Sequence, residues 1–191
     1  KKVEWENNNE HGIYEEYWPN GKIQRKGQFL KGKDVGIWTV FSQNGEKLSE
    51  FTYQEEFRKD GTLYTRAELK NGVITGLLET YSELGFLLKK ENWLDDKLHG
   101  LYQEYWENKK IQRKGQFVEG KKNGVWESYS DQGALQIKEN WHDDYRHGMQ
   151  EKYWPNGNIK RKGRYQQGKA TGLFRSYSQS GDLTTKEIWL D

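Results

Sequence analysis

The chain has 191 residues, no cysteine and a formal net charge of +2 at pH 7. The lack of cysteine excludes disulfide bonds, zinc–thiolate sites and thiol chemistry, and the nearly balanced charge gives no reason to expect nucleic acid as a partner. Charged residues make up 31% of the chain and the mean hydropathy is −1.19, values typical of disorder, but 9 Trp, 12 Tyr and 7 Phe favour an ordered protein with a thin core.

The sequence is built from a repeat of 24 residues. The segment at 100–123, GLYQEYWENKKIQRKGQFVEGKKN, returns 48 residues later, and a close copy begins at Gly12. Units of this kind bury their apolar side chains only against neighbouring units. We predict a single repeat domain, 1–191, with a partial unit at 1–11 and units at 12–35, 36–51 (shortened), 52–75 (degenerate), 76–99, 100–123, 124–147, 148–171 and 172–191.

Each unit reads as a β-hairpin. From Gly124 to Ser130, β-branched and aromatic residues occupy every second position, which is the period of a strand. The dipeptide Asn20-Gly21 predicts a tight hairpin turn, and an alternating second strand, such as Ile111 to Phe117, leads into a Gly-Lys loop. The predicted fold is therefore all-β, an elongated array of about eight consecutive antiparallel hairpins that form one twisted sheet or trough.

Residue parity separates two faces of the predicted sheet. One face carries an aliphatic residue after each first glycine, as at Ile13, and a ring four positions later, as at Tyr17; we interpret it as the structural ladder of the sheet. The other face is the candidate partner-binding surface, because rows of semi-exposed Trp often form binding surfaces. Its residues are Tyr14, Trp38, Tyr102 and Trp126, together with Trp18, Trp106 and Trp154, which alternate with Ser42, Ser82, Ser130 and Ser178. The alternative is that each of these last three Trp residues only covers the Ser of the next hairpin.

Basic clusters recur where the register of the repeat is intact, namely Arg25-Lys26, Arg113-Lys114 and Lys160-Arg161-Lys162. They form a candidate basic stripe of Arg25, Lys26, Arg113, Lys114, Arg161 and Lys162. Such a stripe could contact an acidic partner or anionic lipid head groups. The alternative is a solvated charged surface that prevents aggregation through the sheet edges.

Tests for chemistry give no site. The segment from Gly27 to Lys33 matches the spacing of a phosphate-binding loop, but Asp34 stands where a hydroxyl is needed and no helix follows. His11, His99 and His147 each lie alone in a separate loop, too far apart to share a metal. We therefore expect no cofactor, no metal and no enzymatic activity.

The pattern Gly-x-Tyr/Trp-x-x-Tyr, then Asn-Gly-x-Ile/Leu, a Gly-Lys loop and a new Gly, seen from Gly12 to Gly36 with a counterpart from Gly100 to Gly124, resembles the MORN repeat. It is most similar to the bacterial variant of antitoxin-like MORN proteins. The resemblance implies a non-catalytic scaffold that binds another protein, with an antitoxin-like role as one form. The alternative is an envelope or surface protein that binds membrane lipid or glycan. Because Lys1 is not preceded by Met, a cytoplasmic location and, after removal of a leader, an envelope or secreted one both stay open.

Overall fold

The computed structural model describes residues 1–190, which form sixteen β-strands. In chain order these are β1 (Lys2–Glu6), β2 (Asn9–Tyr17), β3 (Ile23–Leu30), β4 (Lys33–Phe41), β5 (Lys47–Phe57), β6 (Leu63–Lys70), β7 (Val73–Tyr81), β8 (Leu87–Leu94), β9 (Lys97–Tyr105), β10 (Ile111–Val118), β11 (Lys121–Tyr129), β12 (Leu135–His142), β13 (Tyr145–Tyr153), β14 (Ile159–Gln166), β15 (Lys169–Tyr177) and β16 (Leu183–Trp189).

All sixteen strands belong to one antiparallel sheet in which each strand pairs with its neighbours in sequence. The prediction of an all-β array of consecutive hairpins is thereby confirmed. Within residues 1–190 there is no helix, so none that is long and apolar enough to cross a membrane.

Two kinds of connection alternate along most of the chain. The first is a two-residue turn with positive φ at both residues, as at Lys31 (53°) and Gly32 (79°) or Asp143 (49°) and Asp144 (68°), which is the type I′ geometry that suits the twist of a hairpin. The second is a five-residue loop such as 18–22. The prediction that Asn20-Gly21 forms the tight turn was wrong, because in that loop only Gly21 has a positive φ.

The glycine that opens each unit lies inside a strand and not at its start. At Gly12 the pairing of β1 with β2 shifts from Val3↔Tyr14 to Glu4↔His11, so that two residues of β2 are left without a partner on β1. Gly12 has a φ of 78° at this β-bulge, a conformation that glycine adopts without strain. The recurring glycine of the sequence pattern is therefore a bulge position, and the strand begins three residues before it.

The core is a row of aromatic rings stacked over glycines of the preceding strand. Trp38, Trp126 and Phe174 are buried and lie over Gly27, Gly115 and Gly163 respectively. Trp126 also contacts the rings of Tyr102 and Phe117, with centroids 5.4 Å and 5.1 Å away. The contact with Tyr102 is tilted and the contact with Phe117 is edge-to-face, which are arrangements that aromatic pairs favour.

The two faces are thus exchanged relative to their predicted roles. The face interpreted as the structural ladder carries exposed aliphatic side chains, with Ile37 at 63% and Leu101 at 56% exposure. Trp38, predicted to be semi-exposed, is only 1% exposed. Period-two alternation identifies the two sets of residues but does not show which of the two sets is buried by aromatic packing.

The shortened unit rotates the sheet. Strand β5 pairs with β4 through residues 47–51 and with β6 through residues 52–57. Phe51, at the repeat position of Gly27, is followed at once by Thr52, at the position of Gly12. Both positions belong to the aromatic side elsewhere, but successive residues of a strand point to opposite faces. The aromatic side must therefore change faces after Phe51. This point divides the sheet into a first segment that ends at Phe51 and a second segment that contains β6 to β16.

Contacts of Tyr53 show this change. Its ring packs against Trp38 of the first segment, at 6.1 Å between centroids, and Arg66 lies over the same ring at 3.7 Å. Its hydroxyl donates to Glu68, which occupies the repeat position of Gln28 on the non-aromatic side. The five-residue loops also move from one long edge of the sheet, formed by the strand ends, to the other. Loops 42–46 and 58–62 lie at opposite ends of β5. The later segment is related to the first by a half-turn about the long axis of the sheet.

The glycine–indole packing makes a testable prediction. A methyl group on Gly115 would overlap the Trp126 indole, so Gly115→Ala should destabilise the protein by about 1–3 kcal/mol. In the degenerate unit the same two positions are Ala67 and Leu78, which pair directly. Trp126→Leu should therefore rescue Gly115→Ala, and the double variant should lose less than the sum of the two single losses. Urea denaturation of the four proteins measures the cycle, and strictly additive losses would contradict the packing account.

Candidate functional site

In the second segment, from β6 onward, each two-residue turn after 71–72 donates a backbone hydrogen bond to the start of the strand that follows the preceding turn. These bonds run along one of the two long edges of the sheet, where the strands begin and end. The amide of Gly120 donates to the carbonyl of Leu98 at 2.8 Å, and that of Gly168 donates to the carbonyl of Arg146 at 2.9 Å. The turns at 95–96 and 143–144 make the same bond to the preceding unit. This edge is therefore continuous.

The five-residue loops on the opposite edge are joined only in pairs. The Trp106 indole N–H donates to the carbonyl of Tyr129 at 3.3 Å, and the Trp154 indole N–H to that of Tyr177 at 3.0 Å. Side chains further along the first loop reinforce the link, since the Asn108 amide donates to the carbonyl of Asp131 at 2.7 Å. We call this set of bonds the Trp clasp. In the degenerate unit Arg58 replaces Trp and donates to the carbonyls of Tyr81 and Ser82.

Between clasped pairs the edge is open. Among the described residues no hydrogen bond joins loop 130–134 to loop 154–158. The space between them is a cleft of about 680 Å³, which we call the Ser130–Trp154 cleft. Its lining residues are Ser130, Gln132, Ala134, Leu135, Gln136, Ile137, Lys152, Tyr153, Trp154, Pro155 and Lys160.

Each wall of the cleft is held by the sheet. The strand pair Ile137↔Lys152 joins β12 to β13 and forms its floor. The Trp clasp fixes the Trp154 ring, and the ammonium group of Lys160 lies 4.3 Å from the centre of that ring. On the other wall, Ser130 closes its own loop, because its hydroxyl accepts a hydrogen bond from the Ala134 amide at 3.1 Å. The cleft is therefore largely preformed.

The equivalent gap lies two repeats (48 residues) earlier, and one of the differences between the two gaps is the size of the residue that closes the loop. Loop 82–86 ends in Phe86, whereas loop 130–134 ends in Ala134 at the same position. The absence of a ring at Ala134 leaves room for a side chain from outside. An apolar concave site with an indole and a phenol ring is the usual form of a binding pocket.

The predicted partner-binding residues do not form one surface. Tyr14, Trp38 and Trp126 are buried, so the semi-exposed placement predicted for them was wrong. Tyr102 is half-buried; its hydroxyl donates to Glu104 at 2.5 Å, and burial raises its pKa. Trp18, Trp106 and Trp154 are half-buried and use their only N–H donor in the Trp clasp, which is the structural alternative for these residues. Of the predicted set, Trp154 is the residue that lines the cleft.

The predicted basic stripe is divided between the two faces, because Arg and Lys are neighbours on a strand. Arg25 lies 4.4 Å from the Trp38 ring, and Lys26 is 3.7 Å from Glu15. The other members are engaged in the same way: Arg113 with Glu104, Lys114 with Glu127, Arg161 with Glu187, and Lys162 over the ring of Tyr177. These residues do not form a free cationic surface.

The sequence analysis did not select Ala134, Ile137 or Lys152, and it grouped Lys160 only with the basic residues Arg161 and Lys162. The alternation of Trp with Ser indicated pockets, and the exchange of Phe86 for Ala134 would have shown which gap is open. Tyr153 borders the cleft, and burial together with a hydrogen bond to Glu151 raises the pKa of its hydroxyl to about 12. Among residues 1–190 no group of three His, Asp or Glu side chains could hold a metal ion.

The Trp clasp can be tested by exploiting Arg58. Trp106→Ala removes both the ring and the hydrogen bond, so we expect a loss of about 1–3 kcal/mol in the free energy of unfolding. Trp106→Arg should retain most of the stability, because Arg58 makes the equivalent bonds in the degenerate unit. The comparison needs thermal or urea denaturation of the two variants. Equal losses in both would show that the hydrogen bonds to the next loop contribute nothing.

A comparison with protein families finds matches at three places. The family model described as MORN repeat variant matches residues 10–31, 98–119 and 146–167. Each match covers one hairpin whose loop begins with Trp, namely Trp18, Trp106 or Trp154. A search of curated proteins finds no match. The third matched hairpin supplies one wall of the Ser130–Trp154 cleft.

Proposed function

Because the chain is a MORN-repeat protein, we propose that it is a binding module that holds a partner protein at the Ser130–Trp154 cleft. MORN repeats are generally associated with binding, either to protein or to membrane lipid. The cleft is the observation that carries the proposal, since it offers the apolar side chains of Leu135 and Ile137, an oriented indole and space left by Ala134. A Trp side chain of a partner would fill such a pocket and act as an anchor.

The distribution of charge favours protein over lipid. A membrane surface is recognised by several free Lys or Arg side chains on one side of a protein. Here the recurrent basic residues lie on both faces and are engaged with carboxylates or rings, as with Lys114 and Glu127 at 2.9 Å. Glycan stacking would need a row of open aromatic faces, yet the recurring rings Trp38, Trp126 and Phe174 are buried. The antitoxin-like form of the proposal adds one tight partner that is toxic when expressed alone.

The proposal is tested by filling the cleft. Ala134→Phe restores the ring found at Phe86 and should abolish capture of the partner from a lysate of the source cells without loss of stability. Glu46→Phe is the matched control, because position 46 closes loop 42–46 in the same way but belongs to the first segment, at the opposite edge of the sheet. Both proteins should have the circular dichroism spectrum of the parent.

A protein that is captured by the parent and by Glu46→Phe, but not by Ala134→Phe, supports the cleft. Capture that persists with Ala134→Phe would overturn the assignment of the site.

A further inference from the structure

The hairpin that forms one wall of the cleft departs from its two sister hairpins in charge. The fifth residue of the repeat is Glu16 and Glu104 in the sisters but Lys152 here. The thirteenth residue is Gln24 and Gln112 in the sisters but Lys160 here. Both lysines line the cleft, and no Asp or Glu does. The substitutions therefore make the mouth of this cleft cationic.

The change breaks a favourable interaction within the sheet. In the sisters the carboxylate lies directly across from an arginine, in the pairs Glu16↔Arg25 and Glu104↔Arg113. In this hairpin Lys152 lies across from Arg161, so two cations face each other. Like charges directly opposite on neighbouring strands are destabilising. Arg161 is neutralised from the other side by Glu187 at 2.9 Å.

The two lysines are left without such compensation. Within the described part of the chain neither Lys152 nor Lys160 forms an ion pair, and both are exposed. Lys160 lies over the Trp154 ring and thus borders the apolar pocket directly. Local rules of sequence and structure are broken mostly at functional sites, where the gain lies in binding.

We infer that the Ser130–Trp154 cleft selects a partner segment in which an apolar anchor side chain is flanked by Asp or Glu. The anchor enters beside Trp154 and the flanking carboxylates bind Lys152 and Lys160. This inference rests on the proposed function and specifies the chemistry of the partner at the same site. It concerns an acidic peptide segment of a protein; binding to a lipid surface is a separate outcome of the test.

The first experiment compares two synthetic peptides, Ac-Glu-Leu-Trp-Leu-Glu-NH2 and Ac-Gln-Leu-Trp-Leu-Gln-NH2, by titration of the ¹⁵N-labelled full chain. We expect the acidic peptide to shift the Trp154 indole resonance and the amides of loop 130–134. It should bind at least about fivefold more tightly than the neutral one, with a preference that shrinks as salt is added. Equal binding of the two peptides, or no shift at the cleft at millimolar acidic peptide, would overturn the inference.

The second experiment restores the residues of the sister hairpins. Lys152→Glu with Lys160→Gln should abolish the preference for the acidic peptide and raise the midpoint of urea denaturation, because Arg161 regains its cross-strand carboxylate. Lys162→Gln is the control, since Lys162 lies over Tyr177 outside the cleft lining, and it should leave the preference unchanged. Unchanged preference in the double variant, or a lowered midpoint, contradicts the inference.

The outcomes separate the two proposals. If Ala134→Phe abolishes capture of the partner but the charge variants bind it as the parent does, the cleft is a binding site without acidic selectivity. If the chain instead binds vesicles that contain phosphatidylserine, and the double variant loses that binding while peptides have no effect, the lysines serve a lipid surface and the inference fails.

Discussion

The hydrogen bond from the indole of one five-residue loop to the backbone of the next loop organises the edge of the sheet that carries the site. A single-layer sheet has no second layer to cover its loops, so each loop must find partners among its neighbours. The indoles of Trp106 and Trp154 each bond to the five-residue loop that follows in sequence and not to the loop that precedes them. The loops along this edge are therefore joined two by two. The opposite edge of the second segment is joined turn to turn and has no such division. The site follows from this difference, because the gap between two pairs is a cavity that the fold does not itself fill.

Two departures from the repeat give that gap its character. Ala134 stands where the preceding equivalent loop has Phe86, which leaves the space open. Lys152 and Lys160 stand where the sister hairpins have Glu and Gln, which charges its mouth at the expense of a cross-strand ion pair. The first change provides volume and the second provides electrostatic selectivity, and both lie at the same cleft. In a repeat protein the sister units serve as an internal reference, so that such departures can be recognised without any other sequence.

Much of the architecture could be predicted from the sequence, because a 24-residue period with two-residue alternation admits little besides stacked hairpins. The side of the sheet that is buried could not be predicted in this way. Alternation groups Tyr14 with Trp38 but does not show that glycines such as Gly27 lie beneath the rings and let them pack closely.

The turn chemistry was also ambiguous, since Asn20-Gly21 occurs in a wider loop while Lys31-Gly32 forms the tight turn. The eight-residue deletion before Thr52 was visible as an irregularity. Its effect, a half-turn of the sheet, emerges only when side-chain direction is followed through β5. For the site, the alternation of Trp with Ser predicted pockets. The acceptor of the indole N–H could not be predicted from the sequence, because it is set by a tertiary contact between loops.

Hydrogen exchange of the indole N–H groups, followed by NMR, tests most directly whether the Trp clasp exists in solution. The account predicts that Trp18, Trp106 and Trp154 exchange much more slowly than Trp5, which is 63% exposed on the first strand. Exchange of the three loop indoles at the rate of Trp5 would contradict it, because the loops would then not be joined in pairs and the cleft would have no fixed wall.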